Sequence, residues 1–309
     1  MHDRIHYWTT APASPSLHYT VSSVTSMLEH ARPTLVLLHE LGGSVDSWNA
    51  VVQSLARRFT VLCADQRGHG LSEKTRSPYT IENLAEDLHA VLSDAAARGV
   101  IGDIDRNPIW LLGLAAGAAT AAVYAAHHHG VAGVILCCPA LEVDAERRDY
   151  LETRAQRAVE EGMSAIVEAS LARSYPPLLR ERLGMPAFED YRARFLANDP
   201  VAYANANRAL GGGQARNALA ALRLPCLMLA GKHDLLRPSA QVRALTMDHP
   251  RIVFSEIDAG HLAAVQAPQA LAASVERFID ADGLSTTEHG MSRGTAAAAS
   301  APLPHRVNA

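Results

Sequence analysis

The chain has 309 residues, 28 Lys and Arg against 32 Asp and Glu for a formal charge of −4, 48% hydrophobic residues and 19% charged ones. That length and apolar content suit one large domain, or a domain with a small appendage, and exclude disorder throughout. The slightly acidic balance and the lack of a basic block argue against nucleic acid as a partner and leave a small molecule.

In chain order, Met1 to Thr10 lacks the apolar stretch of a secretory signal, and no later run approaches the ~18 apolar residues of a membrane span. A cytoplasmic protein with no membrane partner is expected. Cys63, Cys137, Cys138 and Cys226 are too few for a disulfide framework, and a bridge between the adjacent pair would be badly strained, which fits a reducing compartment.

Short β-rich runs then recur at Thr34 to His39, Phe59 to Ala64, Pro108 to Leu112, Val131 to Cys138, Pro225 to Ala230 and Ile252 to Ile257. Their continuous apolarity reads as strands buried on both faces, hence a parallel sheet between helices. The helical candidates between them include Ile81 to Arg98, with Thr80 as N-cap, and Ala115 to His129, closed by Gly130 at C′. From Glu142 to about Leu222 no strand is evident. Amphipathic patterns at Ala145 to Glu161 and Ala187 to Leu196 instead predict a helical insertion, placed as a cap over the sheet's C-terminal edge. Beyond Asp282 the chain is rich in Ala, Ser, Thr and Pro and is expected to be a disordered tail. The expected organisation is a first core segment at 1–140, a cap at 141–222, a second core segment at 223–282 and a tail at 283–309, without internal repeats.

The chemistry-bearing residues fall at the ends of these runs. The run Pro108 to Leu112 leads into Gly113-Leu114-Ala115-Ala116-Gly117 and a small-residue helix, the strand–turn–helix context of the nucleophile elbow G-x-S-x-G, with Ala115 at its centre. Asp234 lies in Gly231-Lys232-His233-Asp234 after a later strand, and His261 in Ala259-Gly260-His261 after the last one. The order 115, 234, 261 is that of centre, acid and base in one class of Ser-His-Asp sites, where the acid holds the imidazole in its working tautomer. His39-Glu40-Leu41-Gly42-Gly43 would bring the Leu41 backbone N–H beside that of Ala116 as an oxyanion hole.

With LHELGGSVDSW, VLCADQRGHGLSE, GLAAG, GKHD and AGH in order and spacing, residues 17 to 280 resemble the α/β-hydrolase fold family. Within it the chain looks most like 3-oxoadipate enol-lactonases and related small ester, lactone or C–C-bond hydrolases with a four-helix-type cap, whose Asp-Pro-x-x-Tyr is matched by Asp199-Pro200-Val201-Ala202-Tyr203. The resemblance implies a mostly parallel eight-stranded sheet with helices on both faces, a helical cap inserted after the sixth strand, and no cofactor. It also implies Ser at position 115, where this chain has Ala. A methyl group cannot attack a carbonyl, so the ordinary acyl-enzyme route is closed.

Three origins stay open: an engineered Ser-to-Ala change, a natural homologue that lost hydrolysis, or an enzyme that uses His261 and Asp234 without a nucleophile. The activity expected is on a small carboxylate-bearing ester, lactone or diketone. The alternatives are a non-hydrolytic ligand-binding or scaffold homologue, and a general-base enzyme of the lyase or cofactor-independent oxygenase type.

Further candidates stand beside blander readings. Glu40 is a candidate acid, base or substrate contact, set against a capping or solvent-facing role. Cys138 is a candidate substitute nucleophile, set against a buried small hydrophobe. Arg154, Arg157 and Arg173 could meet a substrate carboxylate, set against a solvated helix face. Thr120 is expected to point elsewhere, Arg67 and His69 to serve a turn, and Trp48 and Trp110 to fill the core. His127-His128-His129 diverge around a helix too widely to share a metal and read as a C-terminal cation site. No metal ligand set is expected, and a homo-oligomer is compatible with the apolar cap faces.

Overall fold

In a computed structural model of the chain, the structure describes residues 3–10, 15–23, 32–213, 215–247, 249 and 251–291. Eight strands form one sheet: β1 (Asp3–Trp8), β2 (His18–Ser23), β3 (Thr34–Leu38), β4 (Thr60–Ala64), β5 (Ile109–Leu114), β6 (Val131–Cys137), β7 (Cys226–Gly231) and β8 (Ile252–Ile257). Their spatial order is β1-β2-β4-β3-β5-β6-β7-β8, antiparallel at the β1-β2-β4 end and parallel from β4 to β8. The parallel pairing from β4 to β8 brings the C-terminal ends of β3, β5, β7 and β8 to one edge.

The helices are α1 (Asn49–Leu55), α2 (Ile81–Ala97), α3 (Ala116–His127), α4 (Ala145–Glu161), α5 (Val167–Ser174), α6 (Pro177–Leu183), α7 (Met185–Leu196), α8 (Pro200–Gly212), α9 (Ala215–Ala221), α10 (Ser239–Ala244), α11 (Ala263–Gln266) and α12 (Pro268–Met291). Local chemistry sets several of the ends. Thr80 and Asn83 form a capping box at α2, Asp144 caps α4 through the Arg147 N–H, and Asp199 caps α8 ahead of Pro200 at its first position. The helix α3 ends earlier than expected, with His128 extended as its C-cap, and Gly130 uses its positive φ of 75° to start β6 instead. The six helices α4–α9 all fall between β6 and β7. The last helix runs to Met291, through the first part of the stretch expected to be a tail, and residues 292–309 lie outside the described residues.

Alternation along the strands splits the interior in two. Leu111 of β5 faces a core with Leu88, Leu92 and Tyr124 from α2 and α3, while Trp110 and Leu112 face one with Trp48, Leu55 and Val275. A third cluster, including Leu171, Tyr175, Phe188, Tyr191 and Phe195, joins the cap helices to Leu262 of the core. Each fully buried Leu or Phe contributes about 2 kcal/mol over exposure, against about 0–1 kcal/mol for an exposed ion pair. Apolar burial therefore holds the layers. No helix among the described residues is long and apolar enough to cross a membrane, and all four cysteines are free and buried.

One polar cluster anchors the antiparallel end of the sheet. Asp65 is buried, with Oδ2 accepting from His18 Nδ1 at 2.6 Å and the Leu71 N–H at 2.8 Å, and Oδ1 from the Val45 N–H at 2.7 Å. Burial pushes the carboxyl up, but the His18 hydrogen bond, the nearby His39 and the two N–H donors outweigh it and hold it below the usual carboxylate range. A carboxyl lowered by folding stabilises above its unfolded value, about 4, and that stabilisation is lost as pH falls through the folded value. Asp65→Asn is expected to cost about 2–4 kcal/mol in urea unfolding at pH 7. The gap to the parent should narrow as the pH drops below about 4, and a gap that widened there would contradict the assignment.

Candidate active site

The turn between β5 and α3 is held by backbone contacts. Ala115 has φ 53° and ψ −108°, a strained combination for a residue with a side chain. Its N–H donates to the Cys137 carbonyl at 2.9 Å, and its own carbonyl accepts from the Ala140 N–H at 3.1 Å. Glycines flank it because nothing larger fits. A Cβ on Gly117 would overlap the Leu38 and His39 carbonyl oxygens, and one on Gly113 the Gly117 carbonyl and the backbone of Ala118. Ala115 is thus buried at the tip of a sharp turn, at the head of α3.

Across the sheet edge, β7 and β8 end side by side, with Gly231 paired to Ile257. Gly231 has no room for a Cβ beside the Ala259 and Gly260 carbonyls, so the two loops beyond these strands meet. Asp234 Oδ2 lies 2.9 Å from His261 Nδ1, while Oδ1 accepts from the Leu236 and Arg237 N–H groups at 2.7 and 2.9 Å. Burial raises the Asp234 carboxyl, but the charge and hydrogen bond of His261 and the two backbone donors leave it below its ordinary value, so it stays an anion. With Nδ1–H committed to Asp234, the basic lone pair of His261 is on Nε2.

The loop carrying His261 has a brace that sequence reasoning missed. Gln266 is buried, its Oε1 accepting from the Gly260 and Leu262 N–H groups at 2.9 and 3.2 Å and its amide donating to the Ser174 carbonyl of the cap at 2.9 Å. The only trace of this in the sequence is a polar residue among apolar ones five positions after the histidine.

The loop after β3 supplies the other wall. His39 Nδ1 donates to the Glu40 carbonyl at 2.7 Å and its Nε2 accepts from the Gln66 N–H at 3.0 Å, while His69 Nε2 accepts from the Gly42 N–H at 3.1 Å. Burial and the proximity of His39 push His69 down to about 3, so His69 shapes the turn as a neutral ring. Leu41 and Ala116 both line the resulting cavity, and Ala116 opens α3, where helix geometry leaves the N–H without an intrahelical partner.

The cavity, about 50 Å³, is lined by Ala115, Ala116, Leu41 and His261 from the core together with Arg154 and Tyr191 from the cap. It has room for one or two waters. Glu40 also lines it, though buried, with Oε1 accepting from the Ser47 hydroxyl at 2.8 Å and the Tyr191 hydroxyl at 3.0 Å and Oε2 without a hydrogen-bond partner. A larger hollow of about 650 Å³ opens at the other end of β7, against α12, and shares no residue with this one.

Other candidates are not brought here. Cys138 is fully buried, its Sγ 3.9 Å from that of Cys137 and 3.6 Å from the Gly260 carbonyl, and the Cys137 contact with burial raises its thiol well above the usual value. It is no thiolate nucleophile. Arg157 pairs with Glu161 on the exposed face of α4, and Arg173 donates to the Leu235 carbonyl. Thr120 bonds Gln66 in the core, Arg67 pairs with Asp87, and His128 contacts Glu86 and stacks on Tyr124. Conversely Arg147 and Arg237, which sequence reasoning passed over, do line the cavity.

The chain is similar to known proteins over most of its length. Residues 29–251 match the family model described as serine aminopeptidase, S33. The chain is 24% identical over 246 residues to 3-oxoadipate enol-lactonase 2 of Acinetobacter baylyi, covering 79% of this chain and 88% of that protein. It is 26% identical over 258 residues to 2-(acetamidomethylene)succinate hydrolase of Mesorhizobium japonicum, covering 81% and 88%. Among solved structures, an enol-lactonase from Burkholderia xenovorans superposes with a TM-score of 0.79 at 28% identity, over 89% of this chain and 100% of that one. A malate-bound thermophilic esterase from Thermogutta terrifontis gives 0.77 at 25%, over 90% and 98%.

The turn makes a prediction about stability. Gly117→Ala must push a methyl into the Leu38 and His39 carbonyl oxygens at the end of β3 and is expected to cost about 3 kcal/mol or more in urea unfolding. Ala115→Ser adds one oxygen at a position already held at positive φ and should change stability by less than about 1 kcal/mol. Equal costs for the two would mean that the glycine contact does not hold the turn.

Proposed function

Because the chain belongs to the serine aminopeptidase S33 family of α/β-hydrolases, we propose that it acts at this cavity on a small carboxylate-bearing ester, lactone or diketone. His261 is the base, Asp234 its orienter, and the Leu41 and Ala116 N–H groups take up developing negative charge. The observation that carries this reading is the His261–Asp234 contact at 2.9 Å on the wall of the same cavity as Ala115 and the head of α3.

The route runs without a covalent intermediate. His261 Nε2 accepts a proton from a water molecule as its oxygen bonds to the carbonyl carbon, and the oxyanion forms against the two N–H groups. Collapse breaks the bond to the leaving oxygen, which takes the proton back from the imidazolium, giving acid and alcohol. On a diketone the bond broken is C–C, and the leaving carbon is protonated instead. Ala115 favours a second reading, a ligand-binding relative that breaks no bond, because nothing at that position can attack.

A ligand pocket of ordinary size, about 300–1,000 Å³, far exceeds 50 Å³. Substrate entry on this reading requires the cap to lift. The seam is tied by the Arg182–Asp258 and Arg76–Asp199 ion pairs and by Asn198 on the Gly42 carbonyl, exposed or partly exposed and so individually weak, and by the buried bonds from Gln266 to the Ser174 carbonyl and from Tyr191 to Glu40, which lifting the cap must break.

Ala115→Ser tests the assignment. Assayed on p-nitrophenyl esters and enol lactones, it should raise hydrolysis by about 10³-fold or more over the parent, and adding His261→Ala should remove the gain. No gain, or a gain indifferent to His261, defeats the roles given to these residues. Turnover by the parent itself, abolished by His261→Ala, decides against the ligand-binding reading.

A further inference from the structure

Resting on the cavity being the ligand site, we propose that Arg147, Arg154 and Arg237 form a clamp for two acidic groups, so that the ligand is a small dianion rather than a monocarboxylate.

The three guanidinium groups converge from two parts of the fold. Arg147 and Arg154 lie seven residues apart on α4, about two turns and thus on one face, and Arg237 comes from the loop after β7. All three line the cavity. Such crowding is costly: burial and then Arg154, Arg237 and Arg173 push Arg147 down to about 10.

None of the three is ion-paired with a carboxylate among the described residues. Arg147 Nε is buried with no hydrogen-bond partner, and its guanidinium rests only on the Tyr150 ring, 4.8 Å from the centroid. Arg154 lies 5.2 Å from the same ring and 5.5 Å from that of Tyr203, with Nε donating to Asn207 Oδ1 at 2.8 Å. Arg237 donates to the Glu142 carbonyl at 3.1 Å.

The acidic groups in reach are mostly engaged elsewhere. Asp234 is bonded through both oxygens to His261 and two N–H groups, and Glu40 holds Oε1 on Ser47 and Tyr191 while its Oε2 has no hydrogen-bond partner, so at most one carboxylate oxygen in the cavity wall is unengaged. Asp144 and Glu142 also act on Arg237, but neither lines the cavity. The Tyr150 ring lies against both Arg147 and Arg154, a cation–π contact that offsets part of their mutual repulsion. Three guanidinium groups around one cavity carry more charge and more donors than one carboxylate can match, whereas two acidic groups on one short skeleton come closer to matching them.

Adipate, monomethyl adipate and dimethyl adipate separate the possibilities by titration calorimetry with the full chain. The clamp requires adipate to bind about tenfold or more tightly than the monoester, and Arg147→Gln to erase that difference while Arg157→Gln on the exposed face keeps it. Adipate and its monoester binding alike would overturn the proposal, since the ester carbonyl would then be lodged in the oxyanion hole with a single acid on the arginines. An unchanged preference in Arg147→Gln would overturn it equally. The parent's three-ligand comparison needs no variant and stands if Arg147→Gln does not fold. It is also independent of whether Ala115→Ser gains hydrolysis, so the clamp and the catalytic reading fail separately.

Discussion

The close approach of α3 to β3 is the constraint on which the candidate site depends. Gly117 has no Cβ because the Leu38 and His39 carbonyl oxygens occupy that space, and Gly113 none because the first turn of α3 occupies it. Only with both glycines can the chain reverse so sharply that Ala115 adopts φ 53° and hands its N–H to β6. The same contact drives the N-terminal end of α3 up to the sheet edge beside the loop that carries Leu41. A fixed positive potential therefore exists at the cavity wall before any side chain is considered. It is a property of backbone, and the absence of a side-chain hydroxyl at Ala115 leaves it in place.

A second constraint is the missing room at Gly231, which draws the loops of Asp234 and His261 together. These contacts divide the cavity electrostatically. The core contributes N–H groups and an imidazole, and the cap contributes arginines and tyrosines. In a space this small, charges interact at low effective dielectric, so each unpaired guanidinium matters more than it would on a surface. The cap is more than a cover on this view, since it brings most of the positive charge, and Gln266 ties its position to that of the histidine loop.

The parallel half of the fold was legible because its strands are buried on both faces. Ile252 to Ile257 reads directly as β8, and β3 to β7 differ from their apolar runs by one or two residues at the ends. The helix α4 starts and stops where its amphipathic pattern does. The strands β1 and β2 gave no such run: His6, His18, Thr20 and Ser22 break the apolarity, and their partner in burial is a polar cluster at the sheet's edge rather than a second layer. Motif residues 115, 234 and 261 were readable because loops at strand ends must meet in a parallel sheet. Arg147, Arg237 and Gln266 were not, because their importance comes from contacts between the cap and the core. Arg154 differs from Arg157, one turn on, in reaching Asn207 and Tyr203 of α8, a contact that composition cannot show.

The fold accounts for some candidate residues without any chemistry. Asp234 accepts from the Leu236 and Arg237 N–H groups, so a carboxylate there has structural work whether or not an imidazole is near. Asp65, equally buried, is such a residue, occupied by His18 and two N–H groups at a distance from the chemistry. His261 is different. Its side chain makes one hydrogen bond, to Asp234, and otherwise faces the cavity, so a small apolar residue would satisfy the packing equally well and spare an imidazole from desolvation. Stability does not explain a histidine at this point, which is what the proposed role as a base would require.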